Sequence, residues 1–204
     1  MHIPIAQPSL GDEEKNAVLA VLASGMIAQG PVTAAFEEEF ATYCGVPHAV
    51  ATSNGTTALH AALLAAGVGP GDEVIVPAFS FFATASSVSM CGARPVFSDI
   101  DPATATIDPD DLFAKVTPKT KAVIGVHLYG QPCDIAAVKK ICESGDLVFI
   151  EDAAQAHGAT YQRRKTGNLG DMGCFSFYAT KNMATGEGGM VTTASDEYDE
   201  RLRR

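Results

Sequence analysis

Short β-branched runs alternate along the chain with alanine-rich helical stretches, the pattern of an α/β fold with a mainly parallel sheet. Seven runs read as strands: His48–Thr52, Glu73–Pro77, Arg94–Asp99, Ala122–His127, Leu147–Asp152, Gly173–Tyr178 and Gly189–Thr193. The intervening segment Thr56–Ala66, rich in Ala and Leu, predicts a helix closed by Gly67. Phe82–Met90 and Asp134–Glu143 read as further crossover helices, with Asp134 as an N-cap. An earlier helix is predicted over Gly11–Ala23, its first turn carrying Asp12, Glu13 and Glu14 where the helix dipole favours negative charge. Another spans Thr33–Tyr43, with Phe36, Phe40 and Tyr43 at spacings of four and three as a buried stripe. Gly69-Pro70-Gly71-Asp72, Asp101-Pro102 and Asp108-Pro109 mark turns inside one domain. We see no internal repeat, linker or low-complexity tract. The predicted organisation is one large domain over residues 1–195, with 1–35 as an N-terminal helical segment packing on it, and 196–204 as the start of a charged helix whose partner elements are absent.

Composition narrows the class. The chain has 204 residues, 47% of them hydrophobic and 19% charged, which suits a folded domain with a sizeable core. Its 24 acidic and 14 basic side chains give a net charge of −10, and no basic cluster precedes Arg201-Leu202-Arg203-Arg204, so nucleic acid and membrane surfaces are poor partners and a small metabolite a better one. The first residues lack the basic flank and apolar core of a signal peptide, so a cytoplasmic location is expected. Apolar stretches such as Ala61–Ala66 stop well short of the roughly 20 residues a bilayer needs. Five scattered cysteines without a C-x-x-C pair, Cys44, Cys91, Cys133, Cys142 and Cys174, suggest reduced core thiols and no metal site.

Polar residues gather just after the strands, where ligands collect in open α/β sheets. Ser53-Asn54-Gly55-Thr56-Thr57 runs directly into a helix, whose first N–H groups suit a phosphate, although alone this pentapeptide also reads as an ordinary N-cap turn. Asp152 ends a buried Leu-Val-Phe-Ile run, where a carboxylate needs a cationic partner such as a protonated pyridine nitrogen, unless it simply caps its own helix. Lys181 stands at a strand end among hydroxyls and glycines, a setting for an amine that loses solvent and attacks a carbonyl, the alternative being an ordinary solvated surface lysine. Phosphate cradle, carboxylate and amine are together the three handles that pyridoxal phosphate needs.

At these residues the chain resembles the DegT/DnrJ/EryC1/StrS family of sugar aminotransferases, in the fold-type I pyridoxal-phosphate class. The resemblance opens at Ile3-Pro4 and runs through Gly30-Pro31 with Phe36-Glu37, Ser53-Asn54-Gly55-Thr56-Thr57-Ala58-Leu59, Val76-Pro77-Ala78-Phe79-Ser80-Phe81, His127-Leu128-Tyr129-Gly130-Gln131-Pro132, Glu151-Asp152-Ala153-Ala154-Gln155 and Phe175-Ser176-Phe177-Tyr178-Ala179-Thr180-Lys181-Asn182. It implies a three-layer α/β sandwich around a seven-stranded sheet whose last strand is antiparallel, and pyridoxal 5′-phosphate as cofactor. It implies that Lys181 is the catalytic residue, forming the Schiff base and shuttling the proton, that Asp152 pairs with the pyridinium, and that Gln155 lies near the phenolic oxygen. Phe81 would stack on the ring, with Gly55, Thr56, Thr57 and Ser176 around the phosphate. Phe81 also reads as core, within the Phe79/Phe81/Phe82 cluster, and Ser176 alternates with Phe175 and Phe177 so that it faces away from both. His127, Tyr129 and His157 are expected to be framework; Glu187 is left without a role.

Relatives that remove a sugar hydroxyl carry histidine where this chain has Lys181, so the resemblance implies amine transfer. The expected substrates are an amino acid donor, usually glutamate, and a nucleotide-diphosphate keto sugar, in two half-reactions with ping-pong kinetics and an active site completed by a second subunit of a homodimer. Members of the family are about twice this length and continue into a smaller C-terminal domain, missing here. Two rival readings follow: a cofactor-binding fragment without turnover, and a regulatory or sensor relative, which intact Lys181, Asp152 and Gln155 disfavour.

Overall fold

A computed structural model describes residues 6–204, so Ile3-Pro4 lies outside the described residues. All seven expected strands form, as β1 (His48–Thr52), β2 (Glu73–Pro77), β3 (Arg94–Ser98), β6 (Thr120–Val126), β7 (Val148–Asp152), β10 (Met172–Ser176) and β11 (Gly189–Thr193). They make one sheet in the order β1-β11-β10-β7-β6-β2-β3. β11 runs antiparallel to both neighbours, and every other pairing is parallel. Two short ladders, β4 (Ile100–Asp101) with β5 (Thr106–Ile107) and β8 (Thr160–Tyr161) with β9 (Arg164–Lys165), lie outside the predicted elements.

The helices are α1 (Asp12–Ser24), α2 (Pro31–Cys44), α3 (Gly55–Ala65), α4 (Ala83–Met90), α5 (Pro109–Lys115), α6 (Ile135–Gly145) and α7 (Asp196–Leu202). Gly67 ends α3 as expected: at φ 76° it is left-handed, and its N–H donates to the Leu64 carbonyl at 2.9 Å while Val68 N–H reaches Leu63. Asp134 caps α6 by accepting the Ala137 N–H at 3.1 Å. The segment read as an Asp108-Pro109 turn is instead the start of α5. Asp108 accepts the Asp110 N–H at 2.9 Å, and Pro109 occupies the first helical position, where its missing N–H costs nothing.

Side chains on successive strand residues point to opposite faces, which builds two covered faces from one sheet. Ala122, Ile124, Ile150, Met172, Cys174 and Val191 pack with Leu59 and Leu63 of α3, Val88 of α4 and the partly buried Tyr198 of α7. On the other face, Val123 and Phe149 meet Leu112 of α5 and Val138 of α6, and Phe175, Phe177 and Met190 meet Phe40 of α2. Each fully buried aliphatic or aromatic side chain contributes about 1.5–3 kcal/mol. The three-layer α/β architecture is therefore present.

Two further expectations need correction. Tyr43 does not complete a buried stripe with Phe36 and Phe40: it is 42% exposed, and Lys165 Nζ sits 3.5 Å from its ring centroid, a cation–π contact that a solvent-facing ring can make. Nor does all of the N-terminal helical segment pack on the domain. α1 buries none of its residues, and Val18, Leu19 and Leu22 are each more than half exposed. All five cysteines are buried free thiols. Among the described residues no helix is long and apolar enough to cross a membrane.

Candidate active site

The parallel strands bring their carboxyl ends to one edge of the sheet, and there a cavity of about 760 Å³ opens. Its lining draws on segments far apart in sequence: Asn54, Gly55, Thr56 and Thr57 from the β1–α3 turn, Ser80, Phe81 and Phe82 ahead of α4, Asp152, Ala154 and Gln155 after β7, and Ser176, Tyr178 and Lys181 after β10. Every residue that the sequence nominated is in this lining.

At the end of the cavity formed by the β1–α3 turn, Asn54 caps α3. Its side-chain oxygen accepts the Thr57 N–H at 2.8 Å and the Thr57 hydroxyl at 3.1 Å. Thr57 has thus committed both donors to the cap, and its oxygen receives the Ser53 hydroxyl at 3.1 Å. The N–H groups of Gly55 and Thr56, which no preceding helical turn can pair, remain directed out of the helix end. Gly55 is needed here for space: a Cβ on it would lie 2.7 Å from the Ser176 Cβ. The close approach sets the Ser176 hydroxyl beside the helix N-terminus. Ser176 shares a face with Cys174, while Phe175 and Phe177 are buried on the other, as the alternation required.

Asp152 shares the strand face of Ile150 and is 6% exposed. One carboxylate oxygen accepts the Thr84 hydroxyl at 2.8 Å and the other the Ala154 N–H at 3.2 Å. Both partners are neutral, and burial pushes the carboxyl above its ordinary pKa. It is not an N-cap, since no α-helix follows β7 directly. A buried carboxylate whose donors are all uncharged fits a cationic ring nitrogen arriving from the cavity.

Gln155 is oriented by an unusual turn. After β6 the chain passes through a 3₁₀ turn, Leu128–Gly130, in which Tyr129 adopts φ 53°. The Tyr129 N–H donates to the Gln155 side-chain oxygen at 3.0 Å. An amide that accepts through its oxygen presents its NH₂ as a donor, the polarity needed beside a phenolate. Phe81 is not core: it is 63% exposed at the cavity rim, with its ring centroid 4.7 Å from that of Phe82. Lys181 is partly buried, and a tight turn in which its N–H donates to Tyr178 O at 2.8 Å fixes its backbone.

His127 belongs to the framework. Its ring is fully buried, with Nε2 donating to Glu151 at 2.9 Å and Nδ1 accepting the Cys133 N–H at 3.3 Å. Glu151 also accepts N–H groups of Gly167, Leu169 and Gly170 at 2.7–2.8 Å, so it staples the turn before β10 to the end of β6. His157 is framework of another kind. Its ring packs 5.3 Å and 5.6 Å from those of Phe175 and Phe177, its nitrogens have no hydrogen-bond partner among the described residues, and burial lowers its pKa. Thr84, Ser80 and the Tyr129 N–H are site groups that the sequence did not nominate. The hydroxyl spacing Ser80-x-x-x-Thr84 was visible, but its target, Asp152, lies 68 residues from Thr84.

The profile of the DegT/DnrJ/EryC1/StrS aminotransferase family matches residues 8–204. The chain is 49% identical over 203 residues to the GDP-perosamine synthase of Caulobacter vibrioides, covering 99% of this chain and 55% of that one. It superposes with a TM-score of 0.91 and 44% identity on DesV of S. venezuelae, solved in complex with a ketimine intermediate, covering 94% of this chain and 52% of that one. A putative sugar aminotransferase of Streptococcus pneumoniae, Spr1654 in its PMP form, gives a TM-score of 0.96 at 33% identity, covering 100% of this chain and 56% of that one. The chain thus spans about half the length of the relatives it matches.

Proposed function

The chain belongs to the DegT/DnrJ/EryC1/StrS aminotransferase family, whose cofactor is pyridoxal 5′-phosphate, and on that premise we propose that it transfers an amino group from an amino acid, glutamate in our reading, to a keto sugar carried on a nucleoside diphosphate. The observation that carries the proposal is the single cavity lined by Lys181, Asp152, Gln155 and the N-terminus of α3.

The residues divide the work by their chemistry. The Gly55 and Thr56 N–H groups and the Ser176 hydroxyl would hold the phosphate, with Asn54 and Thr57 fixing the helix end that presents them. Asp152 would hold a proton on the ring nitrogen, Gln155 would donate to the phenolic oxygen, and Phe81 would cover one ring face. When bound, the cofactor supplies an aldehyde carbon and an electron-accepting ring. Lys181 would hold that aldehyde carbon through Nζ, and its free amine would be the group that holds and moves the proton at the reacting carbons. The exposed rim of Phe79, Phe81, Phe82 and Met90 suits coverage by a second copy of the chain, completing a homodimeric site.

Incubating the chain with pyridoxal 5′-phosphate, glutamate and a nucleotide-linked keto sugar, with mass spectrometry of the sugar, tests the reading. Formation of the amino sugar and 2-oxoglutarate is the expected result. A second reading rests on the 55% coverage of the GDP-perosamine synthase: cofactor uptake without turnover. Cofactor absorbance with no amino sugar would select that reading, and no cofactor uptake at all would overturn both.

A further inference from the structure

Asp152 is buried, yet its work under the proposed function requires it to be anionic and aimed. Two strand residues away, Ile150 is surrounded by hydrocarbon, so the strand itself offers the carboxylate nothing. Besides the Ala154 N–H at 3.2 Å, what meets it comes from α4. Thr84, 1% exposed, places its hydroxyl 2.8 Å from one carboxylate oxygen, and the hydroxyl of Ser80, four residues earlier in the segment leading into α4, lies 2.8 Å from that of Thr84.

Hydrogen counting fixes the direction of this chain. A carboxylate only accepts, so Thr84 spends its single hydroxyl hydrogen on Asp152; the contact between Ser80 and Thr84 then has Ser80 as donor. The polarity is Ser80 to Thr84 to Asp152, and hydrogen bonds in series strengthen one another in a poorly solvated interior. Hydrogen bonds to an ionised acceptor are also the strong kind.

We propose that Thr84, itself polarised by Ser80, is a positioning residue that keeps the buried Asp152 carboxylate ionised and fixes its orientation toward the cavity. The inference rests on the functional reading above, in which Asp152 receives a ring nitrogen. Without the Thr84 hydroxyl the carboxylate becomes more basic, competes for the proton that should stay on the ring, and loses one of its two rotational anchors. Burial alone already pushes this carboxyl up, so the hydroxyl acts against an existing bias. The titratable groups that face Asp152 are His127 from the end of β6, Lys181 beyond β10 and Cys174 on the neighbouring strand, and the variants below leave all three in place.

The test is a carbon-13 NMR titration of the Asp152 carboxyl in the cofactor-free chain labelled at aspartate, assigned with D152N. Thr84→Val, which keeps the side-chain shape and removes the hydroxyl, should make this carboxyl titrate at higher pH than in wild type, and Thr84→Ser should restore the wild-type curve. Ser80→Ala should move the curve the same way by less, and because it leaves Thr84 and the carboxylate untouched it stands even if T84V does not fold. Fluorescence titration should show pyridoxal 5′-phosphate binding about tenfold more weakly to T84V, the size expected for one charge-assisted hydrogen bond. A folded T84V or S80A whose Asp152 titrates as in wild type overturns the proposal. The carboxyl titration needs no cofactor, so a failure of the functional reading appears separately, as wild-type chain that takes up none.

Discussion

Asp152 and Glu151 are covalent neighbours, yet the strand sends one into the cavity and the other to the opposite face of the sheet. Glu151 has every acceptor position filled by three N–H groups and His127, so its charge is well compensated. Glu151→Ala would strand these donors in the core and should lower unfolding stability by about 3–5 kcal/mol, measured by urea denaturation. Asp152 has the contrary profile. Burial raises its pKa, so the folded chain holds this proton more tightly than the unfolded chain. The ionised carboxylate therefore costs stability above its folded pKa, and the cost fades as the pH falls toward the ordinary carboxylate range. Without cofactor, Asp152→Asn should melt above wild type at pH 7, with the gap closing on acidification. A variant melting below wild type at pH 7 would contradict the assignment. Under the proposed function such a residue serves cofactor binding at the expense of stability.

At the scale of elements, the close approach of α3 to the end of β10 shapes the end of the cavity proposed to hold the phosphate. Gly55→Ala would force a Cβ to within 2.7 Å of Ser176 Cβ, pushing the helix N-terminus away from the serine hydroxyl. The chain should stay folded and lose at least about tenfold in pyridoxal 5′-phosphate affinity by fluorescence titration, since one charge-assisted contact is worth that much. Much at this scale was legible beforehand. The seven strands followed from β-branched runs, and Gly67 and Asp134 marked real helix ends because cap chemistry is local. Asp108-Pro109 carried the signature of a helix start, but seven helical residues show too few apolar positions to reveal a period, and the pair reads equally as a turn. Other features were closed to sequence reading for reasons of geometry. The left-handed backbone at Tyr129, which orients Gln155, falls on a residue type that seldom adopts it. The bond from Thr84 to Asp152 joins two elements that only the folded sheet brings together.

For the whole molecule, the feature that departs from expectation is α1. The segment 1–35 was expected to pack on the domain, but Val18, Leu19 and Leu22 of α1 are exposed, as are Met26 and Ile27 after it. A helix of 13 residues gains little stability alone, so an apolar face of this kind needs cover. If a second copy of the chain supplies it, wild-type chain should sediment as a dimer. The double variant Val18→Glu with Leu22→Glu should then sediment as a monomer, with its fold retained by circular dichroism. The central claim, that one amine serves the cofactor opposite Asp152, has a more direct test. The chain is loaded with pyridoxal 5′-phosphate, reduced with borohydride, digested and mapped by mass spectrometry. The account predicts the cofactor fixed on Lys181 alone, with no fixation in Lys181→Ala; label spread over other lysines, or retained in that variant, would contradict it.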